Sequence, residues 1–286
     1  MRLSDKNIFK STLVDLKDNS FLENQRIAGK IAAQTLSLLQ NLVADKTTKS
    51  LIELNTLAEE YIIQAGGTPT FKNYKGFPAG VCISVNKQLV HGIPTNYLLK
   101  EGDVVSFDLG ATFQGAIADS AITCIYGNPK SDNHVKLIEA NYQCLIKGIE
   151  SIKIGARLGV IGQAISRHAK NCGFGLITQY GGHGISITKE GVGIPHAPPF
   201  VANKSTTNEG IRIQPGLVIA IEPMLVIGSP ETRTLSDGWT VMTEDISCHA
   251  EHSIFVHEDH VEIMTYRNDD TLLKSNKYYF NNEMIQ

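Results

Sequence analysis

The chain has 286 residues, 42% of them hydrophobic and 19% charged, and a formal net charge of −3. That length allows a sizeable core in one large or two small domains, and the slight negative charge argues against nucleic acid as the main partner. No apolar run reaches the roughly 18 residues of a membrane span, residues 1–9 lack a signal peptide's apolar stretch, and the five cysteines are scattered, odd in number and without a CxxC pair, as in a reducing, cytoplasmic setting.

Residues 1–20 read as an N-terminal arm, frayed or a short helix. From Phe21 the pattern turns helical, with Ile27, Ile31, Leu38 and Leu42 on one face. A second helix starts at Ser50, which has capping-box spacing to Glu53, and stops at Gly66-Gly67. The period then changes. Val81–Asn86, Asp103–Gly110 and Ala116–Tyr126 are rich in β-branched residues and predict strands. After Pro129 two further helices follow, one with the stripe Ile138, Tyr142, Leu145 and Ile149, the other with Ile161, Ile165 and Ala169 and a stop at Gly173. Strand-like segments return at Leu217–Ile227, Trp239–Thr243 and Cys248–Thr265. The order helix, helix, strands therefore occurs twice. It predicts one α+β domain over 21–266, with approximate internal twofold symmetry, one shared sheet and helices covering one face. Residues 267–286 are polar and Asn-rich, and read as a loosely docked tail.

Charged residues stand out where they interrupt apolar strands. Asp108 and Asp119 lie on two strands whose hairpin tip falls near Thr112–Gly115, which predicts that they face each other across the hairpin. Opposite residues have Cβ atoms about 4.5–5.5 Å apart, and paired hydrolytic metals lie about 3.5–4 Å apart. Burying two carboxylates on an apolar face is costly without a counter-charge. The alternative for either aspartate alone is a solvated strand face or a turn cap. Glu222 is a lone charge in Val218–Met224, Glu251 enters the apolar Ser253–Val256, and His183 sits between glycines that permit close backbone approach. Four carboxylates and a neutral imidazole carry −4, which two divalent ions balance; the ligand set suits Mn, Co, Fe(II) or Zn. Two other groups read as ordinary. His257-Glu258-Asp259-His260 has the composition of a metal site but the position of an exposed turn, and Cys82 lacks a fixed histidine partner and reads as a pocket or core thiol.

These residues resemble a known family. Val90-His91-Gly92-Ile93-Pro94, the pair Asp108 and Asp119, Gly182-His183-Gly184-Ile185, Ile221-Glu222-Pro223-Met224 and Glu251-His252-Ser253 are similar, in order, to the motifs of type I methionine aminopeptidases. The resemblance runs from about Leu22 to Thr265. It implies the pita-bread fold of the M24 metallopeptidases, with an antiparallel sheet and two pseudo-twofold-related helix pairs on one face. It implies removal of the initiator methionine from nascent polypeptides by metal-activated attack of water, in a monomer. The motifs carry over as Asp108, Asp119, His183, Glu222 and Glu251 for the metals, with Glu222 also moving the proton. They carry over as His91 and His196 for the scissile bond, and as Tyr74, Phe77, Cys82 and Trp239 for the methionine pocket. A proline-dipeptide peptidase and an inactive binding protein of the same fold are the alternatives. The chain departs from the family in the thirteen positions from His183 to His196, where Lys189–Gly193 reads as an inserted loop, and in Phe71, where a small residue is common. No zinc-finger or proline-rich segment precedes the catalytic part, so ribosome docking through such a module is not expected.

Overall fold

The computed structural model describes residues 19–188 and 190–267. Its first half holds α1 (Asn19–Ala44), α2 (Leu51–Gln64), β1 (Thr68–Pro69), β2 (Val81–Val85), β3 (Gln88–Val90), β4 (Val104–Phe113) and β5 (Ala116–Ile125). The second half begins with α3 (Asp132–Glu150) and α4 (Gly159–Cys172), then β6 (Gly175–Leu176), β7 (Gly181–Ile187), β8 (Gly193–Ala202) and β9 (Val218–Ile221). It ends with β10 (Met224–Val226), β11 (Thr232–Thr234), β12 (Val241–Thr243), β13 (Ser247–His249), β14 (His252–Val256) and β15 (Val261–Ile263).

Local chemistry accounts for the helix ends. The Glu53 amide donates to Ser50 Oγ at 3.3 Å and the Ser50 amide to Glu53 Oε2 at 2.7 Å, so the capping box forms as its spacing predicts. Gly173 closes α4 at φ 77°.

The strands pair antiparallel, but not in one continuous sheet. β1, β4, β2 and β5 form one sheet; β15-β14-β9-β7-β8 form another; β13-β10-β6 and β11-β12-β3 are smaller. An isolated bridge joins the halves: the Glu251 amide donates to the Ala121 carbonyl at 3.0 Å, and the Ala121 amide donates back at 3.3 Å. The expected single strand Leu217–Ile227 is broken at Glu222-Pro223, where proline offers no N–H to a ladder. Cys248–Thr265 breaks at Ala250-Glu251 as well as at the turn before β15, and Trp239 lies just outside β12.

Alternation along the strands separates core from site. Val105, Phe107, Leu109 and Ala111 of β4, with Ala118 and Ile122 of β5, pack against α1 and α2 in one core. Ile219 and Ile221 of β9, with Ile254 and Val256 of β14, pack against α3 and α4 in a second. Asp108 and Asp119 have the opposite parity to the first set, and Glu222 and Glu251 the opposite parity to the second. All four carboxylates therefore face away from the helix pairs.

The hairpin register differs from the expectation by two residues. Gln114 (φ 45°) and Gly115 (φ 83°) form a two-residue left-handed turn between Phe113 and Ala116. Asp108 consequently pairs with Ala121, and Asp119 with Gly110. The aspartates share a face as diagonal rather than direct neighbours, and the residue opposite Asp119 has no side chain to crowd it. Of the proposed arm, residues 1–18 lie outside the described residues, as does the tail from 268 onward. Arg267 departs from the tail reading: it is 4% exposed and donates to Ser120 Oγ at 3.3 Å.

Candidate metal centre and substrate cleft

The two halves meet at a cavity of about 210 Å3. All eleven residues singled out in the sequence line it: Asp108, Asp119, His183, Glu222, Glu251, His91, His196, Tyr74, Phe77, Cys82 and Trp239.

Each is placed by its local backbone. His183 lies on β7 between two glycines that cannot be replaced: a Cβ at Gly182 would run into the Ala220 carbonyl, and one at Gly184 into the Pro198 carbonyl. Glu222 and Glu251 both sit at strand breaks, so their carboxylates leave the ladders and converge on the aspartates. The Glu222 carbonyl accepts from Asn203 Nδ2 at 3.0 Å. His183 Nε2 is 3.8 Å from Asp119 Oδ2, 3.8 Å from Glu222 Oε1 and 3.9 Å from Glu251 Oε1. Ligand atoms cluster as Asp119, His183 and His196, as His183, Glu222 and Glu251, and as Asp108, Asp119 and Glu251.

The donor set fits a pair of cations. Asp108 Oδ1, Asp119 Oδ1 and Glu251 Oε1 are buried and have no hydrogen-bond partner. Burial pushes the Asp108 carboxyl up to about 7 and, together with the neighbouring carboxylates, holds those of Asp119 and Glu251 well above their usual range. The protein by itself therefore cannot keep all four ionised, and divalent charge at the cluster is what would do so. Burial opposes ionisation of Glu222 too, but positive charge nearby, with His249 beside its carboxylate, holds it below its ordinary value. Burial lowers His183 to about 4, so its imidazole is neutral near pH 7, the form that ligates a metal.

The other wall is aromatic. Phe77 meets Trp239 edge-on at 5.2 Å, and Tyr74 stacks on His196 at 5.3 Å. His196 lies 4.4 Å from the His183 ring, and burial with that neighbour drives its pKa well below the usual value. His91, at φ 59°, stands edge-on to Trp239 at 6.4 Å and to Tyr180 at 6.1 Å. Cys82 pairs with Asp108 across β2 and β4; burial and then the Asp108 charge push its thiol well above the usual range, which leaves it protonated. Phe71 and the exposed Lys75 complete the lining.

Sequence reasoning missed two residues. Lys75 gave no signal beyond its place beside Tyr74. His249, on β13, brings Nε2 to 3.4 Å from Glu222 Oε2; its only cue was its position two residues before Glu251. Of the segment read as an insertion, Lys189 lies outside the described residues, and 190–193 lie at the end of the β7–β8 hairpin. It reaches the β4–β5 turn, where Gly191 and Gly115 approach backbone to backbone.

Residues 23–258 match the model of metallopeptidase family M24. The chain is 41% identical over 242 residues to methionine aminopeptidase 1 of Bacillus subtilis, covering 84% of this chain and 94% of that protein. It is 37% identical over 255 residues to the methionine aminopeptidase of Mycoplasma capricolum, covering 88% and 98%. The crystal structure of the methionine aminopeptidase from Rickettsia prowazekii superposes with a TM-score of 0.82 at 31% identity, covering 89% of this chain and all of that one.

Proposed function

This chain belongs to metallopeptidase family M24, with the pita-bread fold; its activity is the metal-dependent removal of N-terminal methionine, and we propose that Asp108, Asp119, His183, Glu222 and Glu251 hold two divalent ions for it. The observation that carries the ligand assignment is the convergence of four buried carboxylates, three with an unpartnered oxygen, around a neutral histidine. Bound there, the ions would polarise the scissile carbonyl and acidify the attacking water.

The chain's own residues do the rest. Glu222 is ionised near pH 7 and accepts a proton from the water, then delivers it to the leaving amine. His91 and His196 line the cleft beside the carboxylates and hydrogen-bond the peptide as its carbonyl carbon becomes tetrahedral. Tyr74, Phe77 and Trp239 offer aromatic faces to the methionine sulfur, each contact contributing about 0.3–1.5 kcal/mol. A cavity of about 210 Å3 suits one side chain rather than a longer ligand.

The finer reading is a single catalytic unit over 21–266, working as a monomer in the cytoplasm on the initiator methionine of nascent chains, at the ribosome. One observation supports the cytoplasmic setting: all five cysteines are unpaired thiols. No helix among the described residues is long and apolar enough to cross a membrane.

Methionine release from Met-Ala-Ser, with Mn or Co added and then chelated, tests the activity. Turnover that requires metal is expected. No turnover with any divalent ion would overturn the reading, and Xaa-Pro peptides outperforming Met-Ala-Ser would move it to a proline-dipeptide peptidase.

A further inference from the structure

His249 is 1% exposed, and no step above uses it. Its backbone is fixed from both halves of the molecule. On one side it pairs with Met224 of β10; on the other its amide donates to Thr123 Oγ1 at 3.0 Å and its carbonyl accepts from Thr123 Oγ1 at 2.7 Å. The imidazole is thereby set against the two glutamates. Nε2 lies 3.4 Å from Glu222 Oε2 and 4.0 Å from Glu251 Oε2, and neither ring nitrogen is engaged in a hydrogen bond. His183 Nε2, by contrast, approaches the Oε1 atoms of the same two residues, at 3.8 and 3.9 Å. Each glutamate thus presents one oxygen to His183 and the other to His249.

We propose that His249 is a positioning residue for the metal centre, holding the Oε2 atoms of Glu222 and Glu251 so that their Oε1 atoms stay turned toward His183. An ionised carboxylate only accepts, so Nε2 has to carry the hydrogen for the 3.4 Å contact to tighten into a hydrogen bond. A buried imidazole without a partner is costly, and the carboxylates of the two glutamates lie within 4.0 Å of its Nε2. Partners of this kind behind ligating carboxylates typically change metal affinity or activity by about 10–100-fold when removed.

The inference rests on the two-metal reading, and calorimetric titration with Mn(II) alone separates the two. If the parent chain takes up no Mn(II), the metal reading itself fails. If the parent binds, His249→Leu is expected to bind about 10–100-fold more weakly, while His249→Gln, whose amide reaches the same oxygens, stays close to the parent. In turnover of Met-Ala-Ser at saturating Mn(II), the loss in His249→Leu should fall on kcat rather than KM. Parent-like Mn(II) affinity in His249→Leu would overturn the proposal, as would a Gln variant impaired as badly as the Leu variant. Should His249→Leu fail to fold, Gln is compared with Asn, which is too short to reach. Gln is then expected to bind more tightly, and equal affinity of the two would overturn the proposal.

Discussion

Two clusters in this molecule have nearly the same residue types and opposite electrostatics. At the centre, His183 converges with four carboxylates, three of which have an oxygen without a partner. At the turn before β15, His257, His260 and Glu262 also bring their ligand atoms together, and the two imidazoles stack at 4.1 Å. There Glu262 is fully engaged: Arg26 donates Nε and Nη2 at 2.8 Å each, and His257 Nε2 lies 2.6 Å away. Burial opposes its ionisation, but these hydrogen bonds hold its pKa at about 2. The turn cluster carries its own cation, Arg26 from α1, paired with Glu262; at the centre the carboxylates lie against the imidazoles of His183 and His249. Composition alone marks both as metal sites, and the presence of a resident positive charge tells them apart.

The comparison can be broken at several points. The largest effect is expected at the centre: Glu222→Gln should lower kcat by about 100- to 10,000-fold, with the thermal midpoint close to the parent's. Steady-state kinetics at saturating metal decides it, and retained activity would refute the proton-transfer role. At the turn, Arg26→Leu should cost about 3 kcal/mol, since it leaves Glu262 buried without its main partner. Denaturant unfolding measures this, and methionine release should be unchanged. Once Arg26 is gone the turn cluster resembles the centre, so added zinc should raise the thermal midpoint of Arg26→Leu more than that of the parent. Equal shifts would mean that the arginine is not what separates the two clusters.

The sign of the pH dependence follows from the depressed carboxyl. Glu262 is held below its ordinary value of 4.5, at about 2, so its contribution is fully present above 4.5 and disappears as the pH falls toward 2. The parent should lose this stability as the pH falls toward 2, so its gap to Arg26→Leu should shrink there, as urea midpoints at stepped pH would show. The smallest effect belongs to the exposed pair of Asp259 and His260, 2.6 Å apart. Asp259→Asn should leave the thermal midpoint where it is, because water screens such pairs.

Much of this was legible in the chain itself, for local reasons. The helices announced themselves by period and caps, and the five proposed ligands by charge in apolar strands. What escaped depended on contacts between distant segments. The hairpin register turned on the left-handed pair Gln114-Gly115, which moved Asp108 opposite Ala121 instead of Asp119. The strand break at Pro223 was written in the sequence but passed over within an apolar run. Arg267 looks like tail until Ser120 is seen beside it. His249 has no meaning until β13 lies next to Glu222. The Arg26–Glu262 pair spans most of the chain, so the sequence could judge only the turn at 257–260 by its position and not the buried Glu262 that follows it on β15.

The bridge between Ala121 and Glu251 also sets an order in time. Asp108 and Asp119 leave the ribosome well before His183 and Glu222, and Glu251 follows later still. A chain growing from its N-terminus holds two aspartates with no complete cage until its last strands are made. The molecule therefore cannot begin trimming other proteins until the segment that carries Glu251 has been made.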